Sequence, residues 1–135
     1  MIVGIGIDVC PVERFATAAE NERLLARLFT PAERDSSMNR MAGRFAAKEA
    51  LAKALGAPQG LSWHDVEVRK DELGKPFFDY RGSVAARVAE LGIATVHLSI
   101  THDAGIAAVP PGASRSGAGE ITSSLAPSRF RPESR

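Results

Sequence analysis

The first ten residues carry a strand pattern in which two glycines and a carboxylate share one face. Side chains alternate along an extended strand, so Gly4, Gly6 and Asp8 point to one side and the apolar residues Val3, Ile5, Ile7 and Val9 to the other. Glycine weakens a strand interior, so the pair predicts close approach of another element in tight packing or of a ligand, and the pattern leaves both open. The segment fits neither the dinucleotide fingerprint, whose third glycine would fall on Val9, nor the P-loop, which ends in Gly-Lys-Ser/Thr.

An alanine-rich segment at 41–55 predicts a helix with two charged residues on its buried flank. Gly56 marks the predicted end of this helix. At about 100° per residue, Lys48 and Glu49 fall within or beside the apolar stripe of Met41, Phe45, Ala52 and Leu55. One interpretation of the i,i+4 pair Glu49 and Lys53 is an ordinary surface salt bridge. A carboxylate on a core-facing flank instead needs a cation or metal as its partner, so we expect Asp8 and Glu49 to form a metal and phosphate site.

The remaining patterns predict one α+β domain with an antiparallel sheet. We expect a strand at 2–9, helices at 12–19, 21–28 and 82–91, a hairpin near 64–80, and paired strands at 95–101 and 105–109. The segment from Thr30 to Glu33 resembles the capping-box start of a short helix. From Pro110 the composition shifts to Pro, Gly, Ser, Ala and Arg, which predicts a folded domain at 1–109 and a disordered tail at 110–135.

Composition excludes several function classes. A formal net charge of +1 gives no general attraction to nucleic acid or to a membrane. The N-terminus lacks a basic region followed by a long apolar run, and the single cysteine, Cys10, has no partner for an internal disulfide, so we expect a cytoplasmic location. Three histidines and one cysteine show no zinc spacing, and Cys10 is expected to be a small packed residue rather than a catalytic thiol.

A series of motifs follows along residues 1–109. They are Gly4-Ile-Gly-Ile-Asp8 with Val12-Glu-Arg-Phe15, Gly43-Arg-Phe-Ala-Ala-Lys-Glu-Ala-Leu-Ala-Lys-Ala-Leu-Gly56, Trp63-His-Asp-Val-Glu-Val68, Gly74-Lys-Pro76 and His97-Leu-Ser-Ile-Thr-His-Asp103. In this order and spacing they resemble the holo-[acyl-carrier-protein] synthase family, the small bacterial type of 4′-phosphopantetheinyl transferase. The resemblance implies transfer of the 4′-phosphopantetheine arm of coenzyme A to a serine of apo acyl carrier protein, with release of adenosine 3′,5′-bisphosphate. It places the chain in fatty acid or polyketide biosynthesis.

The resemblance also implies roles for individual residues. Asp8, Glu49 and Lys53 would be catalytic: the two carboxylates would bind Mg²⁺, which favours a few carboxylates with waters and phosphate oxygens, and Lys53 would contact the transferred phosphate. The residues expected to contact coenzyme A are Arg44, Lys48, Lys53, Gly74, Lys75, Pro76, Ser99, Thr101 and His102. The sequence leaves the general base open between a metal-bound water and one of the carboxylates. For His102 a structural hydrogen-bonding role stays an alternative, and Asp103 either orients its imidazole or begins a turn.

The resemblance further implies two kinds of partner. The acidic acyl carrier protein would dock on the helix after the first strand, with Arg14 as the leading contact and Arg23 and Arg27 as further contacts. A homotrimer would place Asp8 and Glu49 of one chain opposite the segment Ser99 to His102 of its neighbour. Two other classes fit the same residues: a different magnesium-dependent enzyme acting on nucleotide phosphates, and a non-catalytic module that binds coenzyme A or a carrier protein.

Overall fold

The computed structural model describes residues 2–34, 37–103, 106–109 and 112–114. Its helices are α1 (Val12–Ala19), α2 (Glu22–Leu28), α3 (Pro31–Arg34), α4 (Met38–Ala54) and α5 (Gly82–Glu90). Its strands are β1 (Ile2–Ile5), β2 (Asp8–Pro11), β3 (Val66–Lys70), β4 (Pro76–Tyr80), β5 (Thr95–His97), β6 (Thr101–Asp103), β7 (Ile106–Val109) and β8 (Gly112–Ser114), and a 3₁₀ turn at Trp63–Asp65 precedes β3. The described strands pair in the orders β1-β8-β5, β2-β7-β6 and β3-β4, and each pair is antiparallel. The predicted α+β class is confirmed.

Helix α4 is the central element of the fold. It begins after Ser37, whose side chain accepts a hydrogen bond from the Arg40 amide, and it stops before Gly56, which has a φ of 83°. The start lies three residues earlier than the predicted 41, because the cap is Ser37 rather than a residue nearer the apolar stripe. Its buried residues face several directions, and most of them are small: Ala42, Gly43, Ala46, Ala47, Ala50 and Ala54. The helix therefore packs against α1, β1, β2 and β7 at close range.

The two N-terminal glycines lie directly against this helix. A Cβ atom added at Gly4 would overlap the carbonyl oxygen of Ala54, and one added at Gly6 would overlap that of Ala50. These contacts confirm tight backbone packing as the reason for the glycines. The single strand predicted at 2–9 is wrong, because the chain leaves one sheet after Ile5 and enters another at Asp8, on either side of the contact made by Gly6.

The N-terminal segment also carries a group of exposed apolar side chains. Since the glycine side packs on α4, Ile5, Ile7 and Val9 are left exposed, whereas Val3 is partly buried against the core. The N-terminal apolar face, as we call this group, comprises Ile2 (63% exposed), Ile5 (62%), Ile7 (59%) and Val9 (48%). Several large apolar side chains with this exposure in one short segment are typical of an interaction surface.

The C-terminal strands pair differently from the prediction. The hairpin and the helix at 82–91 are confirmed, but the strand predicted at 95–101 is divided into β5, which pairs with β8, and β6, which pairs with β7. Strand β8 lies beyond the domain boundary predicted at 109, and its Gly-Ala-Ser sequence carries no strand signal of its own. Residues 115–135 lie outside the described residues, so disorder there stays a prediction. Among the described helices, none combines the length and apolar character that crossing a membrane requires.

Candidate functional site

A cavity of about 440 Å³ lies between β2, α1, α2 and α4. Strand β2 contributes Asp8 at its first residue, α4 contributes Glu49 from its second half, and the arginines Arg14 of α1 and Arg27 of α2 also line the space. The rest of the lining is mostly apolar: Val9, Cys10, Phe15, Ala18, Ala19, Leu24, Leu25, Leu28, Phe45 and Trp63. The cavity thus brings the two predicted metal ligands together with two of the three arginines predicted to bind a partner.

Asp8, Glu49 and Lys53 form the charged centre beside this cavity. The Lys53 ammonium donates to Asp8 Oδ1 at 2.9 Å and to the Ile7 carbonyl oxygen at 2.9 Å. Burial raises the pKa of Glu49, the negative charge of Asp8 raises it further, and the Lys53 ammonium opposes the shift. The described ion pairs join Lys53 to Asp8 rather than to Glu49, so the structure forms a link between α4 and the strand instead of the i,i+4 surface bridge that was the alternative interpretation.

The carboxylate pair fits a magnesium ion. Within the described residues, no group of three or more His, Cys, Asp or Glu side chains is arranged to hold a metal. Mg²⁺ does not need such a group, because it typically binds through one or two carboxylates and keeps water and substrate phosphate oxygens as its other ligands. The repulsion from Asp8 that contributes to the raised pKa of Glu49 is also what a divalent cation relieves. The donor set therefore suits Mg²⁺.

Lys48 is buried, and this corrects its predicted role. Its side chain is 1% exposed, and the ammonium donates to Glu33 Oε1 at 2.6 Å, to the Leu28 carbonyl at 2.8 Å and to the Trp63 carbonyl at 2.9 Å. Burial lowers the pKa of Lys48, and the hydrogen bond and charge of Glu33 oppose that shift. All three N–H groups of the ammonium are occupied. Lys48 therefore has no donor left for a coenzyme phosphate and instead fixes two residues of the cavity wall.

Glu33 is the partner that sequence reasoning missed. The sequence predicts it to be part of a capping box, and half of that box forms: the Thr30 amide donates to Glu33 Oε1 at 3.1 Å. The Thr30 hydroxyl finds no partner among the described residues, so the reciprocal bond is missing. Glu33 Oε2 instead accepts from the Val68 amide at 3.1 Å. The available signal was Lys48 itself, because a lysine on a core-facing flank requires a buried acceptor.

Several predicted coenzyme contacts lie on a different side of α4. The His102 ring packs on Gly43, where an added Cβ would come within 2.8 Å of Cε1, and partial burial and the charge of Lys70 lower the pKa of His102. Glu49 follows Gly43 by six residues, which corresponds to about 9 Å along the helix and about 120° around it. Within one chain, His102 and Glu49 are therefore on separate faces of the helix.

The other predicted coenzyme contacts are also outside the cavity. Arg44 donates from Nη1 to the Glu33 carbonyl at 2.7 Å. Gly74 and Lys75 belong to the exposed turn between β3 and β4, where Gly74 has a φ of 80° and Pro76 opens the second strand. None of the nine predicted coenzyme contacts belongs to the cavity lining: Arg44, Lys48, Lys53, Gly74, Lys75, Pro76, Ser99, Thr101 and His102.

The arginines and the cysteine near the site occupy distinct positions. Arg14 and Arg27 line the cavity, whereas Arg23 does not. Arg23 lies at the start of α2, where its amide donates to the capping side chain of Asn21 at 3.1 Å. Cys10 is 6% exposed, as expected of a packed residue, and burial followed by the charge of Asp8 raises the pKa of its thiol. The apolar wall around these residues was not predicted, because it is assembled from five separate elements: β2, α1, α2, α4 and the 3₁₀ turn.

The sequence is similar to known proteins over most of its length. The profile of the 4′-phosphopantetheinyl transferase superfamily matches residues 4–107. A protein of Clavibacter michiganensis subsp. michiganensis named holo-[acyl-carrier-protein] synthase is 55% identical over 108 residues, covering 79% of this chain and 91% of the relative. A protein of the same name from Beutenbergia cavernae is 56% identical over 108 residues, covering 79% of this chain and 93% of the relative.

The fold is also similar to solved structures of holo-[acyl-carrier-protein] synthases. The holo-[acyl-carrier-protein] synthase of Neisseria meningitidis matches with a TM-score of 0.78 at 31% identity, covering 85% of this chain and 100% of that one. The Helicobacter pylori synthase in complex with coenzyme A matches with a TM-score of 0.72 at 29% identity, covering 82% of this chain and 99% of that one.

A substitution cycle tests whether Lys48 and Glu33 act as a buried structural pair. Lys48→Met is expected to lower the free energy of unfolding by about 3–5 kcal/mol, because it leaves the Glu33 carboxylate buried without its cation. Adding Glu33→Gln to this variant should recover part of the loss, although Glu33→Gln alone should destabilise the protein. Urea unfolding measures all four chains, with the exposed Lys70→Met as control, expected within about 0.5 kcal/mol of wild type. If Glu33→Gln changed the free energy of unfolding equally in the wild type and in Lys48→Met, the two side chains would not be coupled.

Proposed function

Because the chain belongs to the holo-[acyl-carrier-protein] synthase family of the 4′-phosphopantetheinyl transferases, and is thus a transferase, we propose a specific reaction for it. The serine hydroxyl of an apo acyl carrier protein attacks the β-phosphorus of coenzyme A. A bond forms between the serine oxygen and that phosphorus, the pyrophosphate bond breaks, and adenosine 3′,5′-bisphosphate leaves. The observation that carries the proposal is the meeting of Asp8, Glu49 and Lys53 beside one cavity, within the segment that the family profile matches.

Each residue of the charged centre has a defined task in this reaction. Asp8 and Glu49 would hold Mg²⁺, which supplies charge neutralisation for the pyrophosphate when bound. Lys53 is 51% exposed, so its ammonium is accessible to a ligand in a way that the Lys48 ammonium is not. It would contact the transferred phosphate and stabilise the charge that develops on the leaving group. The serine proton passes to a base within reach of this centre.

Transfer to a carrier protein is the first activity to test. The full chain is incubated with apo acyl carrier protein, coenzyme A and Mg²⁺, and the carrier's intact mass is expected to rise by one phosphopantetheine arm. Glu49→Gln is expected to slow the transfer by roughly 100-fold and a chelator to abolish it, because the pyrophosphate charge is no longer neutralised. Glu90→Gln is the matched control, since that carboxylate is 68% exposed and pairs with Arg87 on α5.

Two results would contradict the transferase proposal. Turnover of a nucleotide phosphate in the absence of any carrier would favour a different magnesium-dependent enzyme. Binding of coenzyme A with no gain of mass on several carriers would favour a non-catalytic binding module.

Arg14 and Arg27 are the proposed contacts for the acidic carrier protein. Both line the cavity that also contains Asp8 and Glu49, so a carrier bound to them would present its serine near the charged centre. The neighbouring apolar wall offers additional contact area. Arg23 was predicted as a third contact, but it lies outside the cavity lining and is proposed to contribute less.

Alanine substitutions distinguish these arginines. Arg14→Ala and Arg27→Ala are each expected to raise the KM for the carrier protein about fivefold and to weaken its salt dependence, while the KM for coenzyme A changes little. Arg23→Ala is the matched control, expected to change the KM for the carrier less than twofold, as is typical of a peripheral charge contact. Steady-state kinetics at two salt concentrations measure all three. Equal effects of the three substitutions would show that docking does not centre on this cavity.

We propose a homotrimer with shared sites, the assembly that the family resemblance implies, and two observations favour contact with a neighbouring copy. The N-terminal apolar face leaves Ile2, Ile5, Ile7 and Val9 exposed in the single chain, which favours burial against another copy. The predicted coenzyme contacts around His102 lie on a different face of α4 from Glu49, so one chain does not assemble all of them into one cavity. A neighbouring copy that supplies its His102 segment to the Asp8 and Glu49 of the first chain would complete the pocket.

Co-expression of two inactive chains tests the shared site. Glu49→Gln and His102→Ala impair different halves of the pocket, so oligomers containing both chains regain sites in which neither half is altered. Random mixing in a ring is expected to restore roughly a quarter of the wild-type activity. Sedimentation of the wild type as an active monomer, with no restoration on co-expression, would exclude a site between subunits.

A further inference from the structure

The ion pair between Lys53 and Asp8 occupies a carboxylate that the proposed metal needs. The Lys53 ammonium lies 2.9 Å from Asp8 Oδ1 and is also held by the Ile7 carbonyl at 2.9 Å. A side-chain cation thus contacts a carboxylate that the proposed divalent cation would also need.

The same geometry leaves Lys53 free to move. Its side chain is 51% exposed and Asp8 is 18% exposed, whereas the Lys48 and Glu33 side chains are 1% and 2% exposed. Exposed ion pairs are weak, because water screens the charges and a long side chain loses rotamer freedom on pairing. Lys53 is therefore able to leave Asp8 at small cost, which the enclosed ammonium of Lys48 is not.

We propose that Lys53 is an exchangeable cation, which holds Asp8 while the site has no metal and is released when the two carboxylates bind a divalent cation. Its ammonium then becomes available to the phosphate that is transferred. This inference rests on the proposed function, in which Asp8 and Glu49 are the metal ligands. It adds that Lys53 competes with the metal before it assists the reaction, so that the phosphate contact becomes available only after metal binding.

If Lys53 competes with the metal for Asp8, removing Lys53 is expected to increase the affinity for the metal. The two carboxylates and the ammonium together carry one net negative charge, and removing the ammonium leaves two. A divalent cation is then bound more tightly, even though the transfer reaction loses a residue that contacts the phosphate. A residue that only supported the metal site would give the opposite sign on metal affinity.

Metal binding without coenzyme A measures this effect directly. The probe is Mn²⁺, which takes the same oxygen ligands as Mg²⁺, followed by loss of the free-ion EPR signal on the full chain at pH 8. Lys53→Met is expected to lower the Kd about three- to fivefold, the range of an exposed ion pair. Lys53→Arg, which keeps the charge, should stay within about twofold of wild type on the same grounds. Arg40→Met removes a positive charge from an exposed position at the other end of α4, and we expect no change in the Kd.

The outcomes separate this inference from the proposed function. Tighter Mn²⁺ binding by Lys53→Met, with slower transfer to the carrier, supports the exchange. Unchanged or weaker binding by Lys53→Met, when wild-type binding is lost in Glu49→Gln, overturns the exchange and leaves the metal site standing. Binding that Glu49→Gln does not affect overturns the metal site, and the exchange with it. Urea unfolding of each variant confirms that the compared chains are folded.

Discussion

The buried ion pair of Lys48 and Glu33 joins more parts of the structure than any other polar contact described. Its ammonium binds the end of α2 and the 3₁₀ turn, and its carboxylate binds β3 and the loop before α3. Burying two charges costs several kcal/mol each, which is offset only where hydrogen bonds satisfy the whole group, as they do here. The pair thereby fixes the rotation of α4 about its own axis. Glu49 follows Lys48 and points about 100° away from it around the helix, so it faces the cavity rather than the core.

A second constraint acts at short range and sets the distance of Asp8 from that helix. Gly6 packs on the Ala50 carbonyl, in a place where any side chain would overlap it. Asp8 follows two residues later, close enough for its charge to raise the pKa of Glu49 and for Lys53 to bridge strand and helix. The glycines thus act on the chemistry through packing, because they let the strand approach α4 while Ile5, Ile7 and Val9 of the alternating pattern are left exposed. The exposed N-terminal apolar face is a consequence of this packing of the glycines on α4.

The sequence predicted those features that local signals determine. Helix ends were close to the observed ones because caps and glycines mark them, and the hairpin followed from two strand-like runs around Gly74. The proximity of Asp8 and Glu49 was also predicted correctly. The break after Ile5, the partners of β5 and β8, and the apolar cavity wall were not predicted, since each depends on residues distant in sequence. Strand β8 shows this most clearly, because its Gly-Ala-Ser sequence becomes a strand only through pairing with β1 and β5.

Two lysines on α4 show why residue type alone does not assign a role. Lys48 and Lys53 flank Glu49 within one motif, and both were expected to contact phosphate. The first ends in a closed set of three acceptors, where leaving would strand the Glu33 carboxylate in the core. The second ends on a partly exposed carboxylate and one carbonyl oxygen, from which it can be displaced. Residues five apart on a helix point in directions about 140° different, and in α4 this places Lys48 in the core and leaves Lys53 half exposed to solvent and ligand.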